Sequence, residues 1–206
     1  MKKSHIILIC LAAVFIFGAG SCVFVRNGIV SADQAVKKAW GNVETAYQRR
    51  LDLIPNLVNT VKGYAEHESS TLQGVTNART GLKKAYDEAT NALQSNDAAQ
   101  VQASQNNLME KAGLYINAVH EAYPDLKANT NFLALQDELA GTENRINTER
   151  TRYNEAVENF NKKILRFPGS LFAWGYTEKD MFKADAAASK APVVNFGTEE
   201  APSVDF

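Results

Sequence analysis

The chain has 206 residues, with 22 Lys and Arg against 23 Asp and Glu, and a formal net charge of −1. This balance excludes the strongly basic surface of a typical nucleic-acid-binding domain, so no nucleic-acid partner is predicted. Without its apolar start and a C-terminal tail, the chain keeps about 150 residues, enough for one domain with its own core. Both cysteines lie in the apolar start, so the body has no disulfide and no thiolate nucleophile.

The most informative segment is the uncharged apolar run Ile6–Val25, which follows Lys2 and Lys3. A helix of twenty residues rises about 30 Å, the thickness of the hydrocarbon core of a bilayer. The run therefore predicts one N-terminal transmembrane helix, with residues 1–28 as the membrane anchor and the protein as single-pass in the cell membrane.

Two alternatives to an uncleaved anchor stay open. The most apolar part, Ile6–Phe17, also has the length of a signal-peptide core, as in ordinary secretion. The stretch Ala19–Cys22 resembles a degraded lipobox, in which Cys22 would be lipidated and hold the protein by a lipid. The basic residues on the two sides of the run are nearly balanced, and we place the body outside the cytoplasm.

Residues 29–185 form the predicted body. Apolar residues recur there every three or four positions, and no segment alternates as a strand does. Four helical stretches result, separated at Pro55, at the turn Ser95–Asp97 and at Pro124, with the last ending before Pro168. Long amphipathic helices with short connections predict an all-α fold, an antiparallel four-helix bundle.

Pro55 allows two interpretations. Asp52 could cap a new helix with Pro55 in its first turn, and the chain would then bend at Gly28 to keep that long helix clear of the bilayer. Alternatively, Pro55 only kinks one long helix, and the hairpin falls near Ser70, where Ser70 and Gln73 form a capping box. We prefer the break at Pro55.

The segment after Gly169 is apolar but too short for another bundle helix, and we expect it to fold back over the end of the bundle. Residues 186–206 are predicted to be an extended tail. Within the apolar segment, Trp174 lies in a glycine-flanked stretch, which suggests an exposed contact site.

Several longer motifs are specific. They are Arg49–Val58 (RRLDLIPNLV), Tyr123–Asn129 (YPDLKAN), Thr142–Ile146 (TENRI) and Pro202–Phe206 (PSVDF). Over nearly its whole length the chain resembles the LemA family, although Arg26 replaces the tyrosine of the family's membrane-proximal motif. The resemblance implies a single N-terminal membrane helix and a four-helix bundle. It implies no activity, because the family has no established biochemical function.

Nothing in the sequence indicates an enzyme. A di-iron bundle needs Glu three residues before a histidine, but Tyr64 precedes His67 and Asn117 precedes His120 at that spacing. Phosphate-binding glycine loops and activated-serine motifs are also missing. We therefore predict no catalytic, cofactor-binding or metal-binding residue and no cofactor.

The candidate interaction residues are polar side chains that interrupt the hydrophobic stripes. One interpretation is that aliphatic stems pack while charged heads reach water, and the other is that buried Arg–Glu pairs fix which helices are neighbours. The doublet Arg49-Arg50 could also bind an anionic partner or lipid headgroup. These candidates are Arg49, Arg50, Glu68, Arg79, Glu143 and Arg150, with Trp174 as the candidate apolar contact.

Together these features predict a membrane-anchored, non-enzymatic helical scaffold of the bacterial cell envelope. Small residues from Gly18 to Ser21 would allow close helix approach, so a homo-oligomer or an envelope protein partner is expected. The alternative is a binding module for a peptide or an anionic lipid, acting through the Arg49-Arg50 end or through the Trp174 segment and tail.

Overall fold

The computed structural model describes residues 3–65, 73–95 and 97–183, except for the side chains of residues 3–10 and 13–19. Its four α-helices are α1 (Lys3–Ala65), α2 (Gln73–Leu93), α3 (Ala98–Ala122) and α4 (Thr130–Leu165). Two short 3₁₀ helices cover Pro124–Ala128 and Gly169–Leu171. The described ranges contain no strand, which confirms the prediction of an all-α helical bundle.

The bundle consists of two antiparallel helix pairs. In the first pair, α1 packs along α4, and Lys163 Nζ donates to the Gly28 carbonyl at 3.1 Å at one end. In the second pair, α2 and α3 form a hairpin, in which Asn107 Nδ2 donates to Glu88 Oε2 at 3.2 Å. Apolar side chains from all four helices fill the core, among them Leu57, Leu82, Leu108, Phe132, Ile146 and Phe160.

Local capping explains where α3 and α4 begin. The Asp97 carboxylate accepts hydrogen bonds from the backbone N–H groups of Ala99 and Gln100, at 2.9 and 3.1 Å. Asn129 caps α4 in the same way. Because the residue before a proline avoids helical backbone angles, α3 ends at Ala122, just before Tyr123-Pro124. These helix boundaries agree with the turns predicted from the sequence.

The predicted break at Pro55 is wrong, as is the predicted bend at Gly28. α1 continues through both residues, and Asp52 lies inside the helix, where its carboxylate accepts from Gln48 Nε2 at 2.8 Å. A proline inside a helix costs about 3 kcal/mol. Burial of Leu51, Ile54 and Leu57 around it outweighs that cost, at about 1.5–3 kcal/mol for each side chain.

The single long helix therefore follows the other interpretation of Pro55. α1 ends at Ala65 and α2 begins at Gln73, so residues 66–72 connect the two helices. Those residues, including the predicted capping residue Ser70, lie outside the described ranges.

The segment after Gly169 does more than cover the end of the bundle. From Tyr176 to Lys183 it runs back beside α4 and crosses to α1 and α3, as an extended stretch that we call the strap. Phe182 in the strap is buried in the main core. The predicted tail, residues 186–206, lies outside the described residues.

At the Gly169 end of the bundle, α1 extends beyond its partner. α1 has 63 residues and rises about 95 Å, whereas α4 has 36 residues and rises about 54 Å.

In the part of the chain that the structure describes, no helix is both long and apolar enough to cross a membrane. The transmembrane assignment of Ile6–Val25 therefore stays a prediction.

Candidate functional site

Arg50 connects α1 to α4 in the middle of the bundle. Its side chain is 2% exposed, and its guanidinium donates to the carboxylate of Glu143, which is 44% exposed. Arg50 Nε lies 3.5 Å from Thr142 Oγ1, and the guanidinium lies 5.8 Å from the Tyr47 ring centre. Burial lowers the pKa of Arg50, and the charge of Glu143 opposes this shift. An arginine stays charged under such conditions, so the core holds a buried cation.

Arg49 points to the other side of the same interface and forms an exposed ion pair with Glu138 of α4. Both guanidinium groups of the Arg49-Arg50 doublet are thus bound by carboxylates of α4. An outside anion would have to compete with these carboxylates, which weakens the case for the doublet as a lipid-headgroup site.

A cleft of about 950 Å³ lies next to Arg49, between the middle of α1, the middle of α4 and the end of α2. Its walls carry both signs of charge, with Glu44 and Asp52 on α1 facing Arg145 and Glu149 on α4. Such a mixture does not select an anion or a cation. Across the described ranges, no group of three or more His, Cys, Asp or Glu side chains could hold a metal ion.

The other predicted site residues are dispersed. Arg79 is exposed on α2, where its positive charge acts on Tyr115. Trp174 lies at the end of the bundle, and Cys22 is a free, partly exposed thiol on α1. Glu68 lies outside the described residues. The structure therefore brings Arg50 and Glu143 together, but neither Arg79 nor Trp174 joins them.

Arg150, the remaining predicted residue, lies on α4 and contacts the strap. Its guanidinium donates to the Lys183 carbonyl at 2.7 Å and lies 5.2 Å from the Phe182 ring centre. It therefore contacts both the backbone and the anchoring side chain of the strap.

Three amide side chains hold the strap by its backbone. Asn154 accepts from the Phe182 N–H and donates to the Phe182 carbonyl, both at 2.9 Å. Asn161 makes the same pair of bonds to Lys179, at 3.0 and 2.9 Å. Gln102 of α3 does so to Lys183, at 3.2 and 2.9 Å. Sequence reasoning missed these residues, and the available signal was the seven-residue spacing that puts Asn154 and Asn161 on one helix face.

Two side chains of the strap add specific contacts. Phe182 stacks on Trp40 of α1, with ring centres 5.9 Å apart, and meets the edge of Tyr153 of α4 at 5.3 Å. Lys179 forms an ion pair with the buried carboxylate of Asp33 at 2.9 Å. Burial raises the pKa of Asp33, but hydrogen bonds and charge from Lys179 and Lys37 outweigh burial and leave this pKa below its ordinary value of 3.8.

A second feature lies where α1 leaves the bundle. We call it the collar: large apolar side chains of α1, of the last residue of α4 and of the chain after α4, all exposed to solvent. Arg26 joins the two parts, since it donates to the Phe172 carbonyl at 3.1 Å and lies 5.2 Å from the Trp174 ring centre. Trp174 is 73% exposed and Phe24 is 80% exposed. The collar consists of Val23, Phe24, Leu165, Phe167, Leu171 and Trp174.

Comparison with known proteins gives a consistent result. The model of the LemA family matches residues 39–196, which include α2, α3, α4 and the strap. A curated relative, protein LemA of Metamycoplasma hominis, is 26% identical over 157 residues, which is 74% of this chain and 67% of the relative.

Proposed function

This chain belongs to the LemA family, and from its geometry we propose that it is a membrane-anchored, non-enzymatic interaction protein of the cell envelope. Residues 1–28 form the anchor in this proposal, and the bundle binds another envelope protein or a second copy of the chain. The observation that carries the proposal is the collar around the base of α1.

The length of α1 before Arg26 supports membrane insertion. Lys163 near the end of α4 contacts Gly28, so the helix from Lys3 to Val25 continues past the bundle. Those 23 residues rise about 35 Å, close to the thickness of a bilayer's hydrocarbon core. The apolar run Ile6–Val25 occupies nearly all of that length and has no charged residue.

The chemistry of the collar suits a lipid headgroup region. Aromatic side chains such as Trp174 prefer the membrane interface, and basic side chains near it are attracted to anionic lipids. No acidic residue occurs in 23–32 or in 163–176, the two segments that form this end, whereas both contain basic residues. Arg26, Lys163 and Arg166 are exposed there. In this proposal the end of the bundle that contains Gly169 contacts the bilayer.

The ion pairs between α1 and α4 favour a binding role over catalysis. Arg50 is engaged by Glu143 and Arg49 by Glu138, and both pairs join α1 to α4. A bundle whose helices are joined by such ion pairs serves well as a scaffold. The alternative of a peptide-binding module is favoured by a separate observation, the strap.

Extraction from native membranes tests the anchoring. We expect the full chain to remain in the membrane pellet at alkaline pH, and a variant with Leu11→Arg and Phe15→Arg to become extractable. Control substitutions, Leu114→Ser and Leu133→Ser, change exposed apolar residues of the bundle and should have no effect.

Mass spectrometry of the chain extracted from membranes distinguishes the two kinds of anchor. A chain that keeps the apolar run Ile6–Val25 without added mass indicates a transmembrane helix, whereas a chain that begins at Cys22 with the added mass of a lipid indicates a lipid anchor. Recovery of the mature chain in the soluble fraction, beginning well beyond Cys22, contradicts the proposal.

A further inference from the structure

The groove that holds the strap recognises polypeptide backbone. Each of three side-chain amides pairs with both the N–H and the C=O of one strap residue, as a neighbouring strand would. Hydrogen bonds of this kind give affinity for an extended segment, while pockets for its side chains give selectivity. The walls of the groove come from Asn154 and Asn161 on α4 and from Gln102 on α3.

The side-chain contacts define which extended segment fits. Phe182 occupies an aromatic site between Trp40 and Tyr153, and Lys179 reaches the buried Asp33 carboxylate. Between these two anchors lie Asp180 and Met181, whose side chains are exposed to solvent. The groove therefore selects a lysine followed three positions later by an aromatic residue.

We propose that this groove is a peptide-recognition site for an extended Lys-x-x-Phe segment, and that the partner it fits is the strap of a second copy of this chain. Every copy carries the segment for which these contacts are built. The proposal rests on the function proposed above, because anchoring in a membrane raises the local concentration of copies.

The connection between α4 and the strap allows such an exchange. Residues 172–175 link the second 3₁₀ helix to the strap and include Gly175, whose φ of +87° favours glycine. This link is held by the Arg26 bond to the Phe172 carbonyl and by a turn from the Tyr176 N–H to the Ala173 carbonyl at 2.9 Å. Exchange of an identical element between copies preserves every groove contact and changes only this short link.

Within one chain the strap is favoured by its high effective concentration. A test must therefore weaken the strap in one copy and the groove in the other. The strap-defective copy carries Phe182→Ala, which leaves the amides of the groove in place. The groove-defective copy carries Gln102→Ala and Asn154→Ala, which leaves the strap sequence intact.

Mixing the two full-length copies in detergent micelles, followed by native mass spectrometry, tests the exchange. We expect at least ten times more dimer in the mixture than in either copy alone, because the intact strap of one then binds the intact groove of the other. Asn159→Ala, at an exposed position of α4, replaces the groove substitutions in the control and should give no such increase. A mixture that contains no more dimer than its components overturns the proposal.

A labelled peptide of residues 176–183 tests the groove directly. It should bind the strap-defective copy saturably, and at least tenfold more weakly when Gln102→Ala and Asn154→Ala are added or when alanine replaces the phenylalanine of the peptide. If Phe182→Ala does not fold, as judged by circular dichroism, Phe182→Leu takes its place. If the peptide does not bind, the groove is not a peptide-recognition site. If the peptide binds but no mixed dimers form, the strap of a second copy is not its partner.

These outcomes are separate from the membrane proposal. The mixing and peptide experiments use micelles and do not depend on how the chain is anchored, whereas extraction from membranes does not depend on the strap.

Discussion

Arg50 and Glu143 form an ion pair with unequal surroundings: the arginine is almost completely buried, while the carboxylate reaches solvent. The two partners are therefore not equivalent. Removing the carboxylate leaves a cation buried without its counter-charge, but removing the arginine leaves a carboxylate that water can solvate. The pair joins α1 to α4, with Arg50 in the sequence RRLDLIPNLV and Glu143 in the sequence TENRI.

This asymmetry predicts different costs for the two substitutions. Glu143→Gln should lower the free energy of unfolding by about 2 kcal/mol, whereas Arg50→Met should change it by less than about 1 kcal/mol. Urea denaturation followed by circular dichroism measures both. As a control, Glu138→Gln removes the partner of the exposed Arg49 and should cost no more than about 0.5 kcal/mol. Equal costs for Glu143→Gln and Arg50→Met would show that the burial difference has no energetic consequence.

Pro55 offers a test of the continuous α1. Inside a helix, alanine restores an N–H that can donate to the carbonyl of Leu51, so Pro55→Ala should stabilise the protein by about 2 kcal/mol. Pro124→Ala is the control, because Pro124 begins a 3₁₀ helix and has no such bond to regain. If Pro55→Ala is neutral or destabilising in thermal denaturation, the helix breaks at Pro55 after all.

Local signals predicted most of the fold and little of the site. Asp97 and Pro124 determine helix ends through their own backbone and side-chain chemistry, so a short window of sequence suffices. The course of the chain at Pro55 depends on how much its neighbours bury, which no local pattern contains. The strap depends on Phe182 meeting Trp40 and Tyr153, and the alternation or periodicity of a short segment cannot predict contacts between distant residues.

Gln105 is the least satisfied polar group of the described core. It is 1% exposed, and neither atom of its side-chain amide has a hydrogen-bond partner within the described ranges. Such a group costs about 1–3 kcal/mol, so Gln105→Leu should stabilise the protein by about 1 kcal/mol. The exposed Gln100→Leu on the same helix should change the melting temperature by little. A loss of stability in Gln105→Leu would show that the amide of Gln105 stabilises the bundle.

The strap should respond to acid through Asp33. The folded-state pKa of Asp33 is lowered by Lys179 and Lys37, so its contribution to stability is present above the unfolded pKa, near 4. It is lost as the pH falls through the lower folded pKa. We therefore expect the stability difference between the wild type and Asp33→Asn to be constant from pH 5 to 7 and to shrink below about pH 4. A stability difference that does not depend on pH would show that the charge of Asp33 does not stabilise the protein through its ion pair with Lys179.

The position of Trp174 relative to a bilayer tests most directly whether the collar contacts a membrane. With Trp40→Phe, Trp174 is the sole tryptophan of the full chain, which can be reconstituted into vesicles that contain lipids brominated near the headgroup. We expect strong quenching of the Trp174 fluorescence. In the matched Trp174→Phe variant, the buried Trp40 should be quenched little. Equal and weak quenching of both tryptophans would contradict a collar that rests on the membrane.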